Sequence, residues 1–184
     1  PIGQIYGTFL LAEVDGELVV VDQHTAHERI LYEAFLKNSE VTIQPLLIPR
    51  QVNLTLAQAT LILERLELFA EIGLRIELFG ETTFLIREMP MQLAEVDFES
   101  FLVGLSEDFS EMDAIKDMDE VRRKIIASMA CHAAVRANQT LGLTQIQTLL
   151  HDYFSRNTPP TCPHGRPVII KYPLLELEKQ FQRR

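Results

Sequence analysis

Cysteine is scarce in this chain: Cys131 and Cys162 are the only two among 184 residues, so a scaffold stapled by several disulfides is excluded. Nothing points to an oxidising compartment, and reduced thiols available to bind metal are expected. No run approaches the roughly 18 apolar residues that a membrane span needs, so no membrane partner is expected. There is no basic, apolar leader, and the first residue is Pro1 rather than Met, which reads as a fragment of a longer protein. Positive charge is in deficit, with 17 Lys and Arg against 26 Asp and Glu and a formal net charge of −9. That balance argues against an autonomous nucleic-acid binder, which usually carries a basic face. It leaves open a site that meets DNA once a metal or a partner supplies positive charge. Internal repeats, low-complexity tracts and a His-Glu-x-x-His peptidase helix are also absent.

What is present is enough apolar material for a core: 47% hydrophobic residues and 23% charged ones fit one domain or two small lobes. Gln4–Ala12 and Leu18–Val21 read as a hairpin about Asp15-Gly16, and the continuous apolar run predicts a strand covered on both faces. From Thr25 to about Lys37 the period is helical, with Ile30, Leu31, Ala34 and Phe35 on a buried stripe. Asp22 then ends a strand, and His24 and Glu28 begin a helix.

The middle reads as a separate lobe. It comprises a short strand Val41–Leu47 ending near Pro49, one long helix Leu54–Ile72, strands Leu74–Leu78 and Thr83–Arg87 about Gly80, and a helix Phe98–Leu105. The acidic stretch Ser106–Asp119 reads as an exposed loop or frayed helix. A helix from Glu120 to about Asn138 follows, and then a helix from Leu143 to about Phe154 capped by Thr144 or a neighbour. Next come a loop through Asn157-Thr158-Pro159-Pro160-Thr161, a strand Val168–Ile170 and a helix-prone Leu174–Arg184. The fold class is α+β, two-lobed, with one lobe built from both chain ends (1–38 and 120–184) and an external lobe from 39–119.

His24 and Glu28 are four residues apart, so on a helix they differ by only about 40° around the axis. Asp22 can bend toward the same point from the strand end. An imidazole with two carboxylates is a mixed set suited to zinc or manganese. His27 reads as an exposed neighbour, and Glu33, more than a turn beyond Glu28, as a residue that orients a ligand. Cys162-Pro163-His164 adds two softer ligands. In an extended segment, residues two apart point to one side. Cys131, on the helix from Glu120, can approach from a third element. Singly, each of these residues is more often a cap, a surface histidine or packed core.

Taken together the residues resemble a family. Asp22-Gln23-His24-Thr25-Ala26-His27-Glu28-Arg29-Ile30-Leu31-Tyr32-Glu33 resembles the DQHA(x)2E(x)4E motif of the MutL mismatch-repair proteins that have endonuclease activity. Ala130-Cys131-His132-Ala133-Ala134-Val135-Arg136-Ala137 resembles their second motif, Cys162-Pro163-His164-Gly165-Arg166-Pro167 their CPHGRP motif, and Phe181-Gln182-Arg183 their short terminal motif. Thr25 departs from the usual Ala, at a position that is not a ligand. The resemblance implies metal ligands at Asp22, His24, Glu28, Cys131, Cys162 and His164, and a catalytic group of Asp22, His24, Glu28, Glu33 and Arg166. It implies a zinc ion in a structural or regulatory role and manganese or magnesium as the catalytic ion. It also implies a dimerisation lobe and an external lobe joined by the helix after Asp22.

Gln44-Pro45-Leu46-Leu47-Ile48-Pro49 reads locally as a strand ending at a proline. It also resembles the sliding-clamp motif of MutL proteins, with Gln44, Leu47, Ile48 and Pro49 as contacts. Arg166 and Arg183 are candidate phosphate contacts, against the plainer reading of a turn hydrogen bond or solvated charge; Arg184 can be read the same two ways. The leading expectation is hydrolysis of one DNA strand by a homodimer. The expected partners are duplex DNA, the replication clamp, the mismatch-recognition protein MutS and an N-terminal ATPase domain, in a cytoplasmic, nucleoid-associated bacterial protein. The competing expectation is a non-catalytic, zinc-stabilised dimerisation and clamp-docking module.

Overall fold

The computed structural model describes residues 1–37, 41–111, 117–156 and 158–183. In chain order these form β1 (Gly3–Ile5), β2 (Phe9–Val14), β3 (Glu17–Asp22), α1 (Gln23–Leu36), β4 (Ile43–Asn53), α2 (Leu56–Leu63), α3 (Leu66–Glu71) and β5 (Arg75–Phe79). There follow β6 (Thr83–Pro90), a 3₁₀ turn at Met91–Leu93, α4 (Phe98–Glu111), α5 (Met118–Ala133), α6 (Leu143–Ser155), β7 (Ile169–Pro173) and α7 (Leu174–Gln180). The α+β class expected from the sequence is what the chain adopts: helices with two antiparallel sheets. The chain divides into two compact units, Pro1–Leu31 with Ala134–Arg184, and Tyr32–Ala133. Among the described residues no helix is long and apolar enough to cross a membrane.

In the unit made of the chain ends the sheet order is β1-β2-β3-β7. Leu10, Ala12, Val19 and Val21 alternate onto one face and are buried with Ile30 of α1 and Ile146 of α6. The opposite face is different. Leu18 and Val20 are only half-buried, and Ile170 and Tyr172 are exposed. The continuous apolar run of β3 therefore does not mark a strand covered on both sides within this chain. Among the described residues the core cluster takes Val19 and Val21 from this strand and leaves Leu18 and Val20 outside it.

Gln4–Ala12 is two strands rather than one. The chain reverses at Tyr6-Gly7, both at positive φ, and β1 pairs back onto β2. Gly7 is required there twice over: its φ is +60°, and a Cβ would come within 3.0 Å of the Asn138 Cα.

In the other unit the sheet order is β4-β6-β5. β4 runs through Pro49 to Asn53 instead of stopping at Leu47, with its register on β6 shifted between Pro45 and Arg50. A prolyl residue donates nothing to a ladder, so two prolines in one strand are tolerated where the strand bulges at a sheet edge. The expected single helix Leu54–Ile72 is broken at Arg65, whose guanidinium donates to the Leu61 carbonyl at 2.8 Å and stacks 4.5 Å over the Phe109 ring. Those contacts replace the continued helical ladder at the break.

α4 continues past Leu105 to Glu111, with Ser106 and Phe109 buried, so the first part of the acidic stretch is core-facing helix and not exposed loop. The expectation for 112–116 lies outside the described residues, as do those for Asn157 and Arg184. α5 ends at Ala133, short of Asn138, whose positive φ belongs to the following turn. α7 ends at Gln180.

The formal charge is unevenly divided. Residues 32–133 hold 18 Asp and Glu against nine Lys and Arg, while the remainder holds eight of each. The deficit of positive charge thus belongs to the middle unit, and the unit of the chain ends is formally neutral.

Candidate metal centre

Asp22 is the last residue of β3 and the N-cap of α1, because its carboxylate accepts from the Thr25 amide at 3.0 Å. The Thr25 hydroxyl donates back to the Asp22 carbonyl at 3.3 Å, so the residue that departs from the family pattern reinforces the cap. The cap starts the helix two residues before Thr25 and sets the azimuth of everything on its first turns.

Gln23, for which sequence reasoning found no role, is fully buried and bonds on every side. Its amide nitrogen lies 2.8 Å from the Gly7 carbonyl, 2.9 Å from that of Arg136 and 3.0 Å from that of Gln139. Its amide oxygen accepts from Gln4 at 2.5 Å. A polar residue at the first position of an otherwise apolar helix face is the signal that could have found it, since burial there demands partners.

His24 and His27 share one residue of the segment after α5. The His24 Nδ1 is 3.0 Å from the Val135 carbonyl, which can only accept, so Nδ1 carries the proton and the ring lone pair is on Nε2. The Val135 amide donates to Nδ1 of His27 at 3.0 Å, which puts the His27 proton on Nε2. His27 is therefore not the exposed neighbour the sequence suggested. It is half-buried, and its pKa lies below the usual histidine value because burial disfavours the charged ring, aided by repulsion from His24 and opposed by Asp152.

One turn further, Glu28 is buried, with one side-chain oxygen, Oε1, that makes no hydrogen bond of acceptable geometry. The His164 Nδ1 stands 2.7 Å from it. Cys162 is buried in the core of this unit, and its Sγ, the His164 nitrogen and the Glu28 oxygen all lie within 4.8 Å of one another. Among the described residues this is the group of potential ligands that the fold brings together.

Cys162 and His164 do not meet Glu28 from an extended segment. They occupy a tight turn, with the Gly165 amide donating to the Cys162 carbonyl at 2.9 Å and the Cys162 amide to the Arg166 carbonyl at 2.8 Å. Gly165 has φ +81°, which only glycine adopts without strain. The turn is anchored outward by Arg29, whose Nε donates to the Thr161 carbonyl at 2.6 Å, and by the Tyr153 hydroxyl, which donates to the Pro159 carbonyl at 2.8 Å.

The other candidates are not members of that trio. Asp22 and His24 stand on the same helix start, spent on the cap and on Val135 respectively. Cys131 is half-buried on α5 and belongs to the other unit, as does Glu33, which pairs with Lys37 at 3.4 Å. Arg166 is exposed on the turn and has no ion pair among the described residues; Arg183 is exposed just beyond α7.

A carboxylate oxygen, a thiol sulfur and an imidazole nitrogen are the three donor types that bind zinc. A buried carboxylate oxygen without a hydrogen bond is costly unless something else satisfies it. The donor set of Glu28, Cys162 and His164 thus fits a divalent ion by its chemistry.

The chain matches the family described as the MutL C terminal dimerisation domain over residues 2–141. The chain belongs to that family. DNA mismatch repair protein MutL of Clostridium botulinum (strain Langeland / NCTC 10281 / Type F) is 37% identical over 185 aligned positions, which cover 99% of this chain and 28% of the relative. MutL of Clostridium perfringens (strain 13 / Type A) is 38% identical over 99% of the chain and 27% of its own length. The chain therefore spans about 28% of the length of the curated MutL relatives it matches. The matched region contains α1 with Glu28 and ends two residues before α6, short of the turn carrying Cys162 and His164.

Proposed function

We propose that this chain is the metal-dependent nicking and dimerisation module of a MutL-type mismatch repair protein, cutting one strand of duplex DNA. The convergence of Glu28, Cys162 and His164, with the Glu28 oxygen buried and without a hydrogen bond, is the observation that carries the reading. Those three residues would hold a zinc ion. Asp22 and His24, on the first turn of the same helix, would contribute to a second position for manganese or magnesium. Bound there, a divalent ion supplies Lewis acidity toward the scissile phosphate and lowers the pKa of a water.

The chain's own residues have separable parts in this. The Asp22 cap and the Gln23 bonds hold α1 in place. Val135 fixes the His24 ring with its lone pair on Nε2, the tautomer a ligand needs. Arg166, exposed two residues after His164, would pair with a phosphate oxygen. The neutral balance of this unit makes such an approach less unfavourable than the net charge of the whole chain suggests.

The open sheet face supports the homodimer. Leu11, Val20 and Ile170 stand in register across β2, β3 and β7, flanked by Leu18 beside Tyr172. A second copy laid on this face would cover the strand that the sequence marks as buried on both sides. In the other unit, the bulge in β4 leaves Leu47 and Ile48 exposed at 103% and 84%. Two adjacent, fully exposed aliphatic side chains have the form of a docking peptide, which favours clamp binding through Gln44, Leu47, Ile48 and Pro49.

The second reading is a docking module that binds zinc without cutting. It is favoured by the Asp22 carboxylate, which is engaged as a helix cap and stands outside the trio. Nicking of supercoiled plasmid by the full-length protein with manganese and the clamp separates the two. Asp22→Asn and Glu28→Lys should each abolish the nick while leaving the dimer intact. Nicking by both variants at the wild-type rate would assign the cut elsewhere.

A further inference from the structure

We infer that Arg29 is a positioning residue for the metal centre: by holding the Thr161 carbonyl it sets Cys162 and His164 against Glu28. The inference rests on the metal reading above and extends it to a residue that offers no ligand atom. Arg29 directly follows Glu28 on α1, so one rigid helix presents both a ligand and the brace for the other two ligands. Its Nε lies 2.6 Å from the oxygen of Thr161, the residue immediately before Cys162. A charged donor to a carbonyl makes a bond roughly twice as strong as a neutral one.

Arg29 is itself buried. The residue is 9% exposed, buried beside Glu28 on a helix that also turns Ala26, Ile30 and Leu31 inward. Keeping a guanidinium out of water is costly, and an aliphatic residue of similar length would avoid that cost. The turn is tied to the sheet through the Val168 amide on the Pro160 carbonyl at 2.9 Å and the Asp22 amide on the Val168 carbonyl at 3.0 Å, and the Arg29 bond adds a tie at Thr161, next to the ligands. Its internal bonds from Cys162 to Arg166 and from Gly165 to Cys162 shape the turn but do not orient it toward α1. Tyr153, close enough to Arg29 for the guanidinium to act on its hydroxyl, ties only the earlier residue Pro159. An Nε–H on a planar guanidinium points in one direction, whereas a lysine ammonium swivels. Arg29 therefore transmits the position of the helix to the ligand turn with little play.

The test is zinc affinity of the 184-residue chain by chelator competition, with cobalt substituted for zinc to report thiolate coordination through its absorption bands. Arg29→Gln should bind zinc about 10–100-fold more weakly than wild type, the range seen when groups that orient ligands are removed. Its cobalt spectrum should lose intensity in the thiolate band while the melting transition persists. Arg29→Lys should recover part of the affinity, because it restores one charged donor. Affinity of Arg29→Gln within twofold of wild type overturns the inference, as does loss of the fold in both variants, which would make Arg29 plain core. Wild-type chain that binds no zinc would overturn the metal reading itself, a result distinct from either.

Discussion

Replacing Gln23 by Leu removes a buried amide while keeping nearly the same volume, so its effect isolates hydrogen bonding from packing. The amide nitrogen serves the carbonyls of Gly7, Arg136 and Gln139, and the oxygen serves Gln4. Gln139 retains the Gln4 amide as a donor at 2.8 Å and Arg136 retains the Gln139 backbone amide at 3.3 Å, so the groups left short are Gly7 and Gln4. A typical bond is worth about 1 kcal/mol net, and an orphaned buried partner costs about 1–3 kcal/mol. Gly7 and Gln4 are both only half-buried, which lets water compensate in part. The expected loss is therefore about 2–4 kcal/mol, from the middle of that range and not its sum. For a chain of this size each kcal/mol moves the melting temperature by about 2–4 °C, so a fall of about 5–15 °C is expected. Thermal and urea denaturation followed by circular dichroism would measure it. Gln23→Glu should be worse than Leu, since a carboxylate would face three carbonyl oxygens. A Leu variant within about 0.5 kcal/mol of wild type, the scatter of ordinary surface changes, would refute the view that this amide locks the start of α1 to the two loops.

Val20→Glu, in the middle of the open sheet face, should convert a dimer to monomer in sedimentation velocity while the melting temperature of the monomer stays near that of a dilute wild-type sample; an unchanged dimer would place the interface elsewhere. Leu47→Asp with Ile48→Asp should abolish clamp binding in a surface-immobilised assay, and because both side chains are already in water the stability should change by less than about 0.5 kcal/mol. Asp97 accepts from the Ser100 hydroxyl at 2.6 Å and from the Glu99 amide at 3.2 Å, and the Ser100 bond above all holds its carboxyl below the usual aspartate pKa. With the folded value depressed, its contribution to α4 is present above the unfolded pKa and is lost as pH falls through the folded one; a carboxyl titration by NMR that matched a model peptide would disprove it.

Much of the local structure was readable because it follows from short-range chemistry. Asp15-Gly16 between apolar runs makes a hairpin whatever lies around it, and Ile30, Leu31, Ala34 and Phe35 are buried as their spacing requires. Breaks inside apolar segments were not readable. Arg65 stops a helix through a carbonyl four residues back and an aromatic ring far along the chain, and Tyr6-Gly7 turns where Gln23 and Asn138 arrive from elsewhere.

The same division runs through the candidate site. The types and order of Glu28, Cys162 and His164, and with them the donor chemistry, were properties of the sequence alone. Only the tertiary structure decided that these three form one group, that Asp22 is occupied as a cap, and that His27 is an inward-facing acceptor and not a surface residue. The reason is distance. A ligand set drawn from residues more than 130 positions apart is assembled by the pairing of β3 with β7 and by the Arg29 and Tyr153 anchors, none of which any local pattern encodes. β3 shows the converse: its sequence specified an apolar strand on both faces, and among the described residues one face is buried and the other only half-buried.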